Sequence, residues 1–120
     1  MKLAFTTSGN GLDAPLDRRF GRAAKFLIYD LDSETFEVMD NKVNVNAPQG
    51  AGIQSAQAVS GMGANALVTG HCGPKAFQVL KAAGISIFTS AAATVAEALE
   101  DYRAGRLMEV HAPDVEGHWV

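Results

Sequence analysis

Short apolar runs alternate with helical segments through the second half of the chain, and this alternation constrains the fold more than any other feature. Residues 64–70 and 85–90 are short and apolar. The segments around them carry apolar residues at helical spacing, over 53–63, 74–84 and 94–105. Strands that are apolar on both faces and joined by helices are typical of a parallel sheet covered on both sides. The pattern therefore predicts an α/β domain with three layers, α/β/α.

The first half of the chain predicts three more strands. The run at 2–7 stops at the turn-forming residues SGNG, and the runs at 25–31 and 35–41 are separated only by DSE. Two strands joined by so short a turn pair in opposite directions. We therefore expect a mixed five-stranded sheet in which the second strand is antiparallel.

Length and composition indicate one ordinary domain. The chain has 120 residues, of which 48% are apolar, and this is enough to form a hydrophobic core. We expect a single domain over residues 1–120. The sequence from Leu107 onward predicts a short extended piece and then a loosely packed tail over about 108–120.

Charge and cysteine content exclude several classes of protein. The formal net charge of −3 disfavours general nucleic-acid binding. A single cysteine cannot form an internal disulfide and suits a reducing compartment. The opening residues are too short a run for a signal peptide, and no apolar run is long enough to cross a membrane. We therefore expect a cytoplasmic protein with neither a nucleic acid nor a membrane as its partner.

Four loops are expected at one edge of the sheet. Open α/β sheets bind ligands beyond the carboxyl ends of their parallel strands, which here lead into 7–11, 70–74 and 89–94, while 47–52 enters the first helix. Glycines, hydroxyls and helix N-termini offer donors to an anion, although each could serve only as a turn or cap residue. The candidate binding residues are Thr7, Ser8, Gly9, Asn10, Arg19, Gly50, Gly52, Gly70, His71, Cys72, Gly73, Thr89 and Ser90.

A local positive patch precedes the second strand. It contains Arg18, Arg19, Arg22 and Lys25, with Asp17 as the one nearby acid. Such a run is either a solvated surface or a site that steers an anionic ligand or an acidic partner protein.

The histidine–cysteine pair in the GHCGP loop supports no complete catalytic set. A cysteine phosphatase needs an arginine six residues after the thiolate, but Gln78 stands six residues after Cys72. Adjacent side chains of an extended segment point to opposite faces, so His71 and Cys72 rarely share one metal, and only His111 and His118 could complete a zinc site. The central strands also lack the carboxylates of a two-metal nuclease. We therefore expect that the protein is not an enzyme. The two residues of the pair either contact a ligand or merely shape the loop.

Four stretches together resemble one family. The sequences RRFGRAAKFLIYD, APQGAGIQSAQ, ALVTGHCGPKAFQVLKAAGI and TVAEALEDYRAGRL are similar to the dinitrogenase iron–molybdenum cofactor biosynthesis family, small accessory proteins that carry nitrogenase cofactor or its precursors. The resemblance covers residues 1 to about 107. It implies a ribonuclease H-like fold without catalytic turnover. It also implies non-covalent binding of an anionic metal–sulfur cluster, and cluster-assembly or recipient proteins as partners.

One departure from the family bears on the ligand. Members of the nitrogenase pathway often offer a histidine in the glycine-rich loop before the first long helix, where this chain has Gln49. The difference favours a molybdenum–copper sulfide, or another anionic molybdenum or iron–sulfur species, over the iron–molybdenum cofactor. The alternative function is a regulatory adaptor that docks a partner protein through Arg18, Arg19 and Arg22.

Overall fold

A mixed sheet of six strands forms the centre of the fold in a computed structural model that describes residues 1–41 and 51–111. The strands are β1 (Lys2–Thr7), β2 (Lys25–Asp30), β3 (Thr35–Asp40), β4 (Ala66–Thr69), β5 (Ser86–Thr89) and β6 (Met108–Glu109). Their order across the sheet is β3-β2-β1-β4-β5-β6. Strands β1, β4 and β5 are parallel to one another, whereas β2 runs antiparallel to both of its neighbours.

The antiparallel direction of β2 is confirmed, but the predicted count of five strands is wrong. The sixth strand, β6, pairs antiparallel with β5 and places Met108 opposite Thr89 and Glu109 opposite Phe88. The short extended piece predicted near Leu107 corresponds to this strand, but two residues show no alternation from which its pairing with β5 could be predicted. The loosely packed tail after this strand stays a prediction, and residues 112–120 lie outside the described residues.

Among the described residues, three helices connect the strands: α1 (Ala51–Gly61), α2 (Pro74–Ala82) and α3 (Val95–Arg103). Local sequence signals set their ends. Pro74 occupies the first turn of α2, and Gly84 follows its end with a φ of 80°, in the left-handed region that favours glycine. Thr94 caps α3 because its hydroxyl accepts a hydrogen bond from the Glu97 backbone N–H at 3.2 Å. None of the described helices is long and apolar enough to span a bilayer. Residues Phe20–Arg22 form a 3-10 turn.

Each face of the sheet has its own hydrophobic core, which gives the three layers. Alternation along β1 sends Ala4 to one face and Leu3 and Phe5 to the other. Helices α1 and α2 cover the first face, where Val59 and Leu80 are fully buried. Helix α3 covers the second face with Val95, Ala98 and Leu99.

A buried amide joins the end of the β2–β3 hairpin to the helical layer. Asn41 is 1% exposed, and its Nδ2 donates to the Ala23 carbonyl at 2.9 Å and to the Ser55 hydroxyl at 3.0 Å. Its backbone N–H donates to the Ala24 carbonyl at 2.8 Å. Because buried polar groups are costly when left unsatisfied, these bonds hold α1 in place beside the 3-10 turn.

Truncation of a central strand residue should test the packing of the first core. Leu67 in β4 is fully buried, so Leu67→Ala should lower the free energy of unfolding by about 2–5 kcal/mol through lost burial and a residual cavity. Phe36 in β3 is 41% exposed, and Phe36→Ala should cost clearly less. Urea titration followed by circular dichroism measures both. Equal losses for the two variants would contradict this assignment of the core.

Candidate functional site

Residues 15–20 cross the carboxyl ends of the central strands, and we call this segment the strap. Its first half is bound by main-chain groups. The Asp17 backbone N–H donates to the Thr6 carbonyl at 2.7 Å, and the Thr6 hydroxyl donates to the Asp17 carbonyl at 2.7 Å. The Leu16 N–H donates to the Ala93 carbonyl at 3.0 Å. The strap is therefore attached to β1 on one side and to the loop after β5 on the other.

The second half of the strap pairs with the loop that follows β4. The Phe20 N–H donates to the His71 carbonyl at 3.0 Å, and Arg19 forms a parallel bridge with His71. A Cβ at Gly70 would lie 2.8 Å from the carbonyl oxygen and 2.9 Å from the Cα of Arg18. Only glycine permits this approach, so Gly70 determines where the backbone of Arg18 lies.

Buried hydroxyls lie under the strap. Thr6 and Thr69 are fully buried at the ends of two neighbouring strands, and their hydroxyl oxygens are 3.0 Å apart. The Thr7 hydroxyl donates to the Pro15 carbonyl at 2.7 Å and accepts from the Gly9 N–H at 3.2 Å. These threonines satisfy main-chain groups of the strap and of the loop after β1, and they make the strap part of the fold.

Two neighbouring cavities open beside the strap, and Arg19 and His71 line both of them. Their volumes are about 560 Å³ and about 340 Å³, and the larger falls in the range of small-ligand sites. The residues lining the first cavity are Arg18, Arg19, Gly70, His71, Ser90, Ala91 and Ala92. The residues lining the second are 19–22, Gly52, His71 and 73–76.

The charges around the cavities are all of one sign. Arg18, Arg19, Arg22 and Lys75 contribute four cations, and the described lining residues include no aspartate or glutamate. A concave surface with one sign of charge concentrates counter-ions of the opposite sign. The described residues also contain no group of three or more His, Cys, Asp or Glu side chains that could hold a metal ion. The arrangement favours an anion of considerable charge.

Helix α2 adds backbone donors to the second cavity. Gly73, Pro74, Lys75 and Ala76 line the cavity, and because proline has no N–H, the donors of this turn are the amides of Gly73, Lys75 and Ala76. A helix N-terminus carries a partial positive charge and amides without intrahelical partners. Apolar surface lies beside these donors at Phe20 and Ala76, and the first cavity has comparable surface at its two alanines.

The structure brings together six of the thirteen candidate binding residues. Those that line the cavities are Arg19, Gly52, Gly70, His71, Gly73 and Ser90. Thr89 lies in β5 next to Ser90 but is not among the lining residues, and Gly50 lies outside the described residues. A role for any of them in binding stays a prediction.

The loop after β1 is not part of either cavity lining. The Asn10 side chain accepts a hydrogen bond from Lys25 Nζ at the start of β2, and Gly9 approaches Ala14 so closely that a Cβ would lie 2.5 Å from the alanine Cβ. Thr7 is fully buried. Thr7, Ser8, Gly9 and Asn10 therefore do not line the cavities, and Thr7 bonds to the strap through the Pro15 carbonyl.

The two members of the histidine–cysteine pair lie in different surroundings. His71 lines both cavities, whereas Cys72 is 3% exposed and belongs to the core under α1 and α2. Burial of the thiol disfavours a role as a solvent-accessible nucleophile.

Arg18 lines the first cavity but is not among the candidate binding residues predicted from the sequence. Its position beside Arg19 could have indicated that it belongs to the same site.

A comparison with known families identifies the chain. The family model described as dinitrogenase iron-molybdenum cofactor matches residues 1–105. The chain belongs to this family. The resemblance seen in the sequence is thereby confirmed, and it covers both the strap and the loop that contacts it.

Solved structures that are similar in sequence to this chain share its fold. The apo form of the orange protein from Desulfovibrio gigas is 39% identical, with a TM-score of 0.91, over 94% of this chain and 95% of that one. An NMR structure of a NifB-like protein from Thermotoga is 33% identical, with a TM-score of 0.85, over 97% and 98% of the two chains. An uncharacterized protein from Methanocaldococcus jannaschii is 30% identical over 110 residues, 89% of each chain. The similarity to these proteins therefore extends over nearly the whole length of this chain.

The close contact at Gly70 gives a direct test of the strap. Gly70→Ala should displace the Arg18 backbone and lower the free energy of unfolding by about 1–3 kcal/mol, because the new methyl overlaps main-chain atoms that cannot rotate away. Gly73→Ala is the matched control, since a Cβ there meets nothing within 4 Å and its φ of −69° suits any residue. Denaturant titration measures stability, and amide chemical shifts of residues 18–20 report displacement. Unchanged shifts in Gly70→Ala would contradict the assigned contact.

Proposed function

We propose that this protein binds and carries an anionic metal–sulfur cluster non-covalently and does not transform it. The observation that carries the proposal is the lining of the two cavities, which combines four cations with backbone donors and no described carboxylate. Charge-assisted hydrogen bonds from arginine are the strongest that a neutral-pH site offers to a polyanion. Membership of the dinitrogenase iron–molybdenum cofactor family supports a cofactor-related guest.

The apolar parts of the lining favour sulfide over oxide at the surface of the guest. Ala91 and Ala92 in the first cavity, and Phe20 and Pro74 in the second, cannot replace hydrogen bonds that an oxyanion would lose on leaving water. Sulfide ligands are soft and weakly hydrated, so contact with alkyl and aromatic carbon costs them less. A molybdenum–copper sulfide fits this description, as do other anionic molybdenum or iron–sulfur species. Similarity to the orange protein supports this class.

Within this proposal the candidate residues take different roles. Arg18 and Arg19 bind the charge of the guest, Ser90 and the amides near Gly73 donate hydrogen bonds, and His71 contacts it from between the two cavities. Cys72 shapes the loop from the core side. The protein would act in the cytoplasm, without enzymatic turnover, and would exchange its guest with cluster-assembly or recipient proteins. The β3-β2-β1-β4-β5 order with β2 antiparallel supports a ribonuclease H-like architecture.

Anaerobic reconstitution tests the proposed function. The protein is mixed with tetrathiomolybdate and a copper salt, desalted, and examined by visible absorption and metal analysis. We expect a coloured complex that stays with the protein. Arg18→Gln combined with Arg19→Gln should weaken retention about a hundredfold or more, because each charge-assisted hydrogen bond contributes about 1.5–3 kcal/mol.

The matched control removes two positive charges elsewhere. Lys81 and Arg106 form ion pairs with Glu109 and Asp101 at 3.8 Å and 2.8 Å, away from the cavity linings. Lys81→Gln combined with Arg106→Gln changes the net charge equally and should leave retention unchanged. Wild-type protein that releases all metal on desalting, or equal losses in the two double variants, would reject a specific site.

A second candidate function is an adaptor that docks an acidic partner protein. Arg18, Arg19 and Arg22 are all exposed, and this exposure favours the hypothesis. Because the same arginines line the cavities, their replacement would impair both functions and could not distinguish them.

Filling the cavity without changing its charge separates the two functions. Ala92→Leu should occupy part of the first cavity and reduce cluster retention at least about tenfold, while docking through exposed arginines persists. Ala96→Leu, on the exposed side of α3, is the control. Metal retention and co-purification of partner proteins are measured on the same preparations. If Ala92→Leu kept its metal but no longer co-purified with partner proteins, the result would favour neither the carrier nor an adaptor that docks through its arginines alone.

A further inference from the structure

Strand β3 is a long edge strand of the sheet that the described residues form, and no other described strand pairs with its outer edge. It pairs over all six residues with β2 and is the last strand on its side of the sheet within the described part of the chain. The opposite side ends in β6, which has only two residues. Main-chain donors and acceptors along an open edge are a template for one more strand. The two sides of the sheet therefore differ in what they can bind.

Side chains along β3 alternate between two surfaces. Phe36 and Val38 stand opposite Tyr29 and Leu27 and belong to the face that α3 covers, whereas Glu37 stands opposite Ile28 on the other face. Phe36 is 41% exposed and Val38 is partly buried. An added strand would therefore meet Phe36 and Val38 and then Asp40 on one face, and Glu37 between Thr35 and Met39 on the other.

The hairpin that carries this edge is mainly acidic, and its one cation is Lys25, which stands opposite Asp40 at the start of β2. Residues 26–41 contain five carboxylates and no lysine or arginine, the carboxylates being Asp30, Asp32, Glu34, Glu37 and Asp40. No register of two β3 strands from two copies could place opposite charges across from each other, and like charges at facing positions destabilise a pair. The charge therefore disfavours a second copy of this chain and favours a basic segment.

The turn of the hairpin is already ordered without a partner. The Asp30 carboxylate accepts hydrogen bonds from the Asp32 N–H at 2.9 Å and the Ser33 N–H at 3.4 Å, and the former is the main reason that the Asp30 pKa lies below its ordinary value. The Leu31 N–H donates to the Met1 carbonyl at 2.9 Å. A preformed edge loses little conformational freedom when a strand is added.

We propose that β3 docks an extended segment of a partner protein as a seventh strand, and that this segment alternates basic with apolar residues. The apolar residues would contact Phe36 and Val38, and a basic residue would face Glu37. Main-chain hydrogen bonds would supply affinity, and the alternation would supply register and specificity. None of these residues lines the cavities, so the surface and the proposed cluster site can be occupied together.

A capped peptide of alternating lysine and valine, as long as β3, is the probe. Titration into ¹⁵N-labelled protein should shift the amides of residues 35–40 and give a dissociation constant. The same peptide with N-methyl groups on alternate residues keeps its charge and side chains but lacks the edge-facing donors, and it should bind at least about tenfold more weakly. Equal affinity for the two peptides would overturn the proposal, as would shifts confined to residues elsewhere or no binding at all.

Two protein variants complete the test. Glu37→Lys should weaken binding of the unmethylated peptide at least about tenfold, whereas Glu100→Lys on the exposed surface of α3 should leave binding unchanged. Equal affinity of both variants would overturn the assigned surface. The Arg18→Gln, Arg19→Gln protein should bind the peptide like wild type, so failure of cluster retention and failure of strand docking are separate results.

Discussion

The attachment of the strap to the loop after β4 is the interaction on which the site depends. The Phe20 N–H bonds to the His71 carbonyl, and Gly70 lets the Arg18 backbone approach closer than any side chain would permit. The bonds between Thr6 and Asp17 secure the other half of the strap. Without these contacts, two arginines would lie on an irregular surface segment, and neither cavity would have its present wall.

The consequence for function is that positive charge and backbone donors share one concave surface. Arg18 and Arg19 come from the strap, whereas the donors around Gly73 come from the N-terminus of α2. Arg18 and Arg19 could therefore serve either of the two proposed functions, and only a change in the shape of the cavity beside them distinguishes the two. The acidic hairpin lies on a different part of the sheet, so the molecule has a cationic site at the carboxyl ends of β4 and β5 and an anionic edge at β3.

The sequence was sufficient for elements that local signals define. The predicted strand at 2–7 coincides with β1, and α2 begins at Pro74 as its proline indicates. Strands that are apolar on both faces correctly predicted a layer of helices on each face of the sheet. These features depend on periodicity and on single residues with strong conformational preferences, which any one sequence displays.

Features that depend on long-range pairing were beyond the sequence. Residues 15–20 show no period, because their conformation is determined by bonds to strand ends far away in the chain. For the same reason the sequence pattern predicts the loop after β1 as part of the site, whereas in the structure Asn10 interacts with Lys25 and the strap lies over the strand ends. The strand β6 consists of two residues and is ordered by β5.

The strap is held by its main chain, and this has a consequence for how such a scaffold can diversify. Carbonyls and amides of Asp17 and Phe20 make the attachments, while the side chains of Arg18 and Arg19 extend to the exposed surface. Exchange of these two side chains would leave the tertiary framework intact. Substitutions at these two positions could therefore change the charge that the strap presents to the cavities, while the main-chain framework beneath them stays the same.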